Sequence, residues 1–185
     1  ERISSGLIGH LLAAVNGSAI VRGSSWLRNA MDMQVLPEGT TLHENPHLPR
    51  MSASRMFDAE GLATAPRDIV ADGFLRGWFL DLSTGRKLGL DSTASAVRGL
   101  GSSPSPGVSK IVMTEGRHSR ADLIGQMGRG LVVTSLLGSS INPTTGDYSR
   151  GASGFRVEGG KISHPVNECT IAGTLREMLM RLTPA

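Results

Sequence analysis

Five consecutive residues, His43-Glu44-Asn45-Pro46-His47, spell the H-E-x-x-H pattern of helical zinc sites. On a helix, histidines four residues apart face one metal, and the glutamate beside the first serves as general base. Here Pro46 stands inside the turn that must do this. It lacks a backbone donor, clashes with the carbonyl four residues back, and pushes Asn45 out of the α region. No amphipathic run flanks the match, so residues 43–47 are expected to be extended or in a turn. A free-standing metallopeptidase built on His43, Glu44 and His47 is therefore the weakest functional reading.

The other stretch with chemical potential is Gly146-Asp147-Tyr148-Ser149-Arg150-Gly151. It sets an acid, a phenol, a hydroxyl and a long cation on a backbone bared by glycine. Such a set can hydrogen-bond an extended peptide or a partner through the main chain while Arg150 anchors a carboxylate or carbonyl. The structural alternative is that Asp147 and Arg150 pair with each other and the glycines shape a sheet corner. Asp58 and Glu60, in MFDAEGL, read as turn acids that accept backbone hydrogen bonds. No serine stands in a nucleophile-elbow context, and no Gly-rich segment ends in the Lys-Ser/Thr of a phosphate loop. No catalytic residue is assigned.

The elements that must position these residues follow from local pattern. Phe155, Val157 and Ile162 flank Glu158-Gly159-Gly160-Lys161, a hairpin turn, and a further strand is expected through Val166, Cys169 and Ile171. Asp72-Gly73 marks a second hairpin between Arg67–Ala71 and Phe74–Leu82. Ser4 or Ser5 is expected to cap a helix with Leu7, Ile8, Leu11, Leu12 and Val15 on one stripe, stopped at Asn16-Gly17. An extended run at Ala19-Ile20-Val21 and a helical turn from Ser24-Ser25 through Ala30 follow. Ser83 can cap a short helix to Leu88, and Ser119 with Asp122 caps another ending at Gly128. Ile111–Met113 is a short strand, Leu131–Leu137 reads as a buried one, and a last helix starts at Thr174. Residues 97–109, rich in Gly, Pro and Ser, read as an exposed loop. The fold class is α+β: a twisted antiparallel β-sheet domain with a few short packed helices, and 1–185 as a single domain.

Composition narrows the function. The chain has 185 residues, 24 of them Gly and 8 Met, with only 4% aromatics, which implies an aliphatic core with many turns. A net charge of +3 invites a nucleic-acid reading. The cations Arg22, Arg28, Arg50, Arg55 and Arg67 are scattered, however, and no aromatics interleave with them to stack on bases. No run of about 18 apolar residues exists to span a membrane. The single Cys169 excludes an internal disulfide and fits a reducing, cytoplasmic setting.

The blocks GLIGHLLAAVNGSAIVRGSSWL, MFDAEGL, MGRGLVVTSLLG and GDYSRGASGFRVEGGKISHPVNECTIAGTLREM, in this order, resemble the TldD/PmbA family. Within it, the likeness is to the PmbA (TldE) branch. The TldD branch is implied to be a metallopeptidase with a helical H-E-x3-H block and a cysteine ligand near the C-terminus. With the shared arginine at Arg22, those metal-site positions fall on Gly9, His10 and Ala14, which cannot reproduce them. Cys169 stands where relatives carry an aliphatic residue and reads as a small buried hydrophobe. The resemblance implies that this chain binds no cofactor and that zinc belongs to a TldD-like partner subunit. Together they would form a peptidase complex in which this chain shapes the chamber or holds an extended peptide substrate; self-association is a further option. The family's older description, as a modulator of DNA gyrase, supplies the alternative of a non-enzymatic binding module. Because the chain opens Glu-Arg-Ile and the likeness breaks off after LREMLMRLTPA, it is expected to be a C-terminal-domain fragment.

Overall fold

The computed structural model describes residues 4–185. Helix α1 (Ser4–Ala14) is followed directly by α2 (Gly17–Arg22). Both serines proposed as its cap lie inside α1, so the cap position falls outside the described residues. The Asn16-Gly17 pair expected to stop one helix also starts the next. The Asn16 side chain accepts a hydrogen bond from the Ser18 N–H at 2.9 Å, and Gly23 closes α2 in the left-handed region. Ala19-Ile20-Val21 is therefore helical and not extended: a good cap outweighs the weak strand preference of three β-prone residues. Residues 26–29 form turns, with Ser25 Oγ accepting from the Leu27 N–H at 3.0 Å.

Strand β1 (Leu42–Glu44) pairs antiparallel with β2 (Arg67–Ala71). The Asp72-Gly73 turn leads into β3 (Phe74–Leu75), which is shorter than the run to Leu82 expected from sequence. Beyond Leu75 the chain leaves the sheet, and Phe79 pairs instead with the α1–α2 junction, its N–H donating to the Val15 carbonyl. Helix α3 (Leu82–Leu88) is capped by Asp81, two residues earlier than Ser83; Asp81 and Thr84 form a reciprocal capping box. The loop expected at 97–109 is closed at its base by a two-stranded ribbon, β4 (Ala96–Val97) with β5 (Ser105–Pro106). Strand β6 (Ile111–Met113) adds to β1, completing the sheet order β3-β2-β1-β6. Helix α4 (Arg120–Met127) carries the expected Ser119–Asp122 capping box.

A second antiparallel sheet, in the order β7-β8-β9, is built from β7 (Gly130–Ile141), β8 (Asp147–Glu158) and β9 (Lys161–Thr174). Gly159 and Gly160, at φ 56° and 73°, make the two-residue turn joining β8 to β9, a backbone region glycine enters freely. The strand expected separately through Val166 and Ile171 is the continuation of β9. β7 is not buried as its Val-Val-Thr centre suggests; Leu137 is 59% exposed. Apolar content cannot tell a covered sheet face from an open one. Helix α5 (Leu175–Met180), capped by Thr174, follows. The architecture is α+β, antiparallel sheets with short helices.

One apolar cluster joins the layers. Leu11 and Val15 of α1, Leu42, Ile69 and Val70 of the first sheet, Phe79, Tyr148 of β8, and Leu175 and Leu179 of α5 all belong to it. At its margin lies a buried ion pair: Arg67 Nε donates to Glu44 Oε2 at 2.9 Å. Arg67 also donates to the Trp78 carbonyl and to Ser95 Oγ, and its guanidinium lies 5.1 Å from the centre of the Phe79 ring. The other Glu44 oxygen accepts from the N–H and hydroxyl of Ser109. Burial lowers the Arg67 pKa, and the Glu44 carboxylate works against that shift.

Glu44→Ala leaves this guanidinium without its counter-charge and should reduce unfolding free energy by about 3 kcal/mol. His43→Ala, which breaks only a half-exposed pair with Asp68, should cost less than about 1 kcal/mol. Urea unfolding of the two neighbours measures the contrast; equal losses would overturn it.

Candidate functional site

The zinc-like pattern is dispersed. His43 and Glu44 lie in β1, so their side chains leave opposite faces, and Pro46 and His47 form a turn. His43 Nδ1 meets Asp68 Oδ1 at 2.7 Å, Glu44 meets Arg67, and His47 Nε2 meets Thr64 Oγ1 at 3.0 Å. Three residues in one motif thus have three separate destinations, and residues 43–47 are non-helical, as expected of a segment extended or in a turn. Asp58 is a buried turn acid: its carboxylate accepts from the N–H groups of Glu60, Leu62 and Ala96.

The second set of positions, Gly9, His10 and Ala14, lies on α1. A Cβ added at Gly9 would meet nothing within 4 Å, so that side of the helix is open. Ala14 is 6% exposed and packs in the core, its carbonyl accepting from Ser25 Oγ. His10 meets the Tyr148 ring edge-on, centroids 6.0 Å apart at 69°. A cavity of about 260 Å³ opens beside these residues, lined among others by His10, Ala14, Arg22, Trp26, Ile141 and Leu175. Its one side-chain nitrogen ligand is His10; the other two positions offer no donor atom. Such a set does not fit a zinc centre. Among the described residues no group of three His, Cys, Asp or Glu side chains could hold a metal. Cys169, expected to be buried, is only half-covered on β9, an edge strand of a sheet with little packed against it.

The structure gives Gly146–Gly151 a different geometry from a binding edge. β8 is the middle strand, so its main chain is already paired: Asp147 to Gly151 lie opposite Thr174 to Thr170 of β9, while Tyr148, Ser149 and Gly151 lie opposite Ile141, Ser140 and Leu137 of β7. A peptide cannot add to it through the backbone, because sheet augmentation needs a free edge. Asp147 and Arg150, three residues apart on one strand, leave opposite faces and do not pair. Asp147 accepts from the Thr145 hydroxyl. Gly146, at φ 82°, sits under Trp26, where a Cβ would come within 3.2 Å of the indole; its bareness serves internal packing. Asp147 and Ser149 remain exposed and line a shallow hollow of about 410 Å³ with Ser140, Ile141, Asn142 and Tyr148.

Arg150 is the residue the linear reading placed least well. It shares the inward face of β8 with Tyr148, opposite an irregularity in β7 pairing between Leu137 and Ser140. Its Nε is buried without a hydrogen-bond partner. Its charge acts on His10: burial first, then the Arg150 guanidinium, lower the His10 pKa. The His10, Tyr148 and Arg150 group joins α1 to β8. No local signal pointed to His10 as the residue that Arg150 faces.

The profile of the PmbA/TldA metallopeptidase C-terminal domain matches residues 1–185. Metalloprotease PmbA of Escherichia coli O157:H7 is 43% identical over 178 residues, 96% of this chain and 38% of that protein. A solved structure from Bacteroides thetaiotaomicron, described as a candidate modulator of DNA gyrase, superposes with a TM-score of 0.87 at 34% identity, covering 98% of this chain and 39% of the other. TldE from Thermococcus kodakarensis superposes at 0.83 with 27% identity, covering 94% of this chain and 40% of its own. Fold and family profile together define an antiparallel α+β domain of the PmbA/TldA metallopeptidase C-terminal type. The chain belongs to the PmbA/TldD family, and it spans about two-fifths of the length of these relatives.

His10 supplies a test of this geometry. Its folded pKa lies below the ordinary histidine value of about 6.5, so the unfolded chain binds more protons between the two values. Its contribution to stability is complete above about pH 6.5 and declines as pH falls toward the folded pKa. In a ¹H–¹³C NMR titration, His10 should titrate below an unfolded reference, and Arg150→Ala should move it upward. An unmoved His10 in that variant would separate the two residues.

Proposed function

We propose that this chain is the metal-free, PmbA/TldE-type subunit of a TldD/TldE peptidase complex, in which a TldD-like partner brings the zinc and the chemistry on peptides. The single observation that carries the reading is the trio Gly9, His10 and Ala14 on α1, with one nitrogen donor among three positions. The curated relative named a metalloprotease and the TldE neighbour support the assignment to a peptidase system. In it, the chain contributes surface and not bond cleavage. The hollow over Ser140, Asn142, Asp147 and Ser149 offers hydroxyl, amide and carboxylate groups to an extended peptide or to the partner. Those contacts run through side chains, while any main-chain pairing falls to the outer edges of β7 and β9. Arg150 lies behind them on the inward face of β8, where its charge bears on His10. The complex is assigned to the cytoplasm, in keeping with a single cysteine; among the described residues no helix is long and apolar enough to cross a membrane.

A second reading, a non-enzymatic module that binds DNA gyrase, draws on the description of the Bacteroides neighbour. Co-purification distinguishes the two. The full-length chain should bring down a protein carrying H-E-x3-H, and zinc should track that protein. The chain alone should hold no tightly bound zinc, and His43→Ala should leave its metal content unchanged. About one zinc per chain, lost in His43→Ala, would overturn the proposal; stoichiometric gyrase without a metal-bearing subunit would favour the second reading. In the reconstituted complex, Asp147→Lys should leave the fold intact and reduce peptide processing or assembly severalfold.

A further inference from the structure

Away from α1 and β8, a cleft of about 270 Å³ lies between α2, α3 and the segment after Gly23. Its walls include Ile20 and Leu88, which are apolar, and Arg28, Asn29, Lys87 and Trp78, which are donors. No acidic residue lines it. The ion pairs among the described residues use His43, Arg67, Arg76 and Arg156, so neither Arg28 nor Lys87 is neutralised by one. Lys87 would be favoured at the C-terminus of α3 on dipole grounds alone. That explanation does not extend to the other donors. Arg28 is folded back over Gly23, where a Cβ would come within 3.1 Å of its guanidinium. Trp78 is fixed by its carbonyl, which accepts from Arg67 at 3.0 Å, yet its indole Nε1 is buried with no acceptor. A buried N–H left without an acceptor is costly, and native structures leave few of them.

We propose that this cleft binds the carboxylate of a small aliphatic acid, of the kind a peptide C-terminus with an apolar side chain presents. The guanidinium of Arg28 and the ammonium of Lys87 take the carboxylate oxygens, Ile20 with Leu88 receive the aliphatic group, and the Trp78 indole forms the wall beside them. Charge-assisted hydrogen bonds of this type are the strong ones, and the cleft has room for a single residue. A bare inorganic anion would leave the apolar wall unused, which is why the geometry points to an aliphatic carboxylate.

The test uses N-acetyl-leucine, N-acetyl-leucine amide and inorganic phosphate as probes, followed by the indole N–H resonances of Trp26 and Trp78. N-acetyl-leucine should shift the Trp78 signal saturably and leave Trp26 nearly still; the amide should not. Arg28→Gln and Lys87→Gln, both at exposed positions that keep the fold, should each weaken binding about tenfold. An unmoved Trp78 at tens of millimolar N-acetyl-leucine overturns the proposal. So does unchanged affinity in the Arg28→Gln/Lys87→Gln double variant, equal binding of the amide, or a response to phosphate alone.

Discussion

The carboxylate of Glu44 and the guanidinium of Arg67, 2.9 Å apart and largely withdrawn from water, tie together segments distant in sequence. Through them β1 meets β2, the Trp78–Phe79 segment is pulled from the sheet toward the α1–α2 junction, and Ser95 and Ser109 are drawn to the same point. A charge in this position is tolerable only with its partner and its remaining hydrogen bonds in place, so the contacts hold as a set. Phe79, fully buried under the guanidinium, then closes the core against Leu11 and Val15. The same pair fixes the Trp78 backbone and with it the indole at the cationic cleft.

Against that frame the second sheet is loosely covered. Tyr148, Ala152 and Val157 of its middle strand are buried, whereas β9 exposes most of its side chains. Three long strands with so little packed on them present two free edges and broad faces. What joins this sheet to the helical layer is narrow: Tyr148 against His10, Trp26 over Gly146, and the Leu175 N–H donating to the Gly146 carbonyl. These contacts use the ring of His10 and the volume of its neighbours.

Much of the framework was legible from local chemistry. Pro46 excludes the helix a zinc motif needs, whatever surrounds it, because the clash and the missing donor are properties of the chain itself. The Asp72-Gly73 and Gly159-Gly160 turns, the Ser119–Asp122 box and the Thr174 cap were readable for the same reason: each is settled within about four residues. The family blocks identified the branch. Where two local signals competed, as at Asn16-Gly17, the sequence showed a boundary but not that it opened a second helix.

The tertiary structure alone decided what lies far apart in the chain. Nothing near Glu44 says that its partner is Arg67, because a buried charge takes whichever counter-charge the packing brings. Strand order made Gly146–Gly151 the middle of a sheet and removed the main-chain edge its glycines suggested. It also turned Arg150 inward toward His10, 140 positions away. Turns and caps are matters of adjacent backbone dihedrals, which the residues carry with them. Pairing, burial and the environment of a charge depend on non-local contacts, and these exist only once the chain has closed on itself.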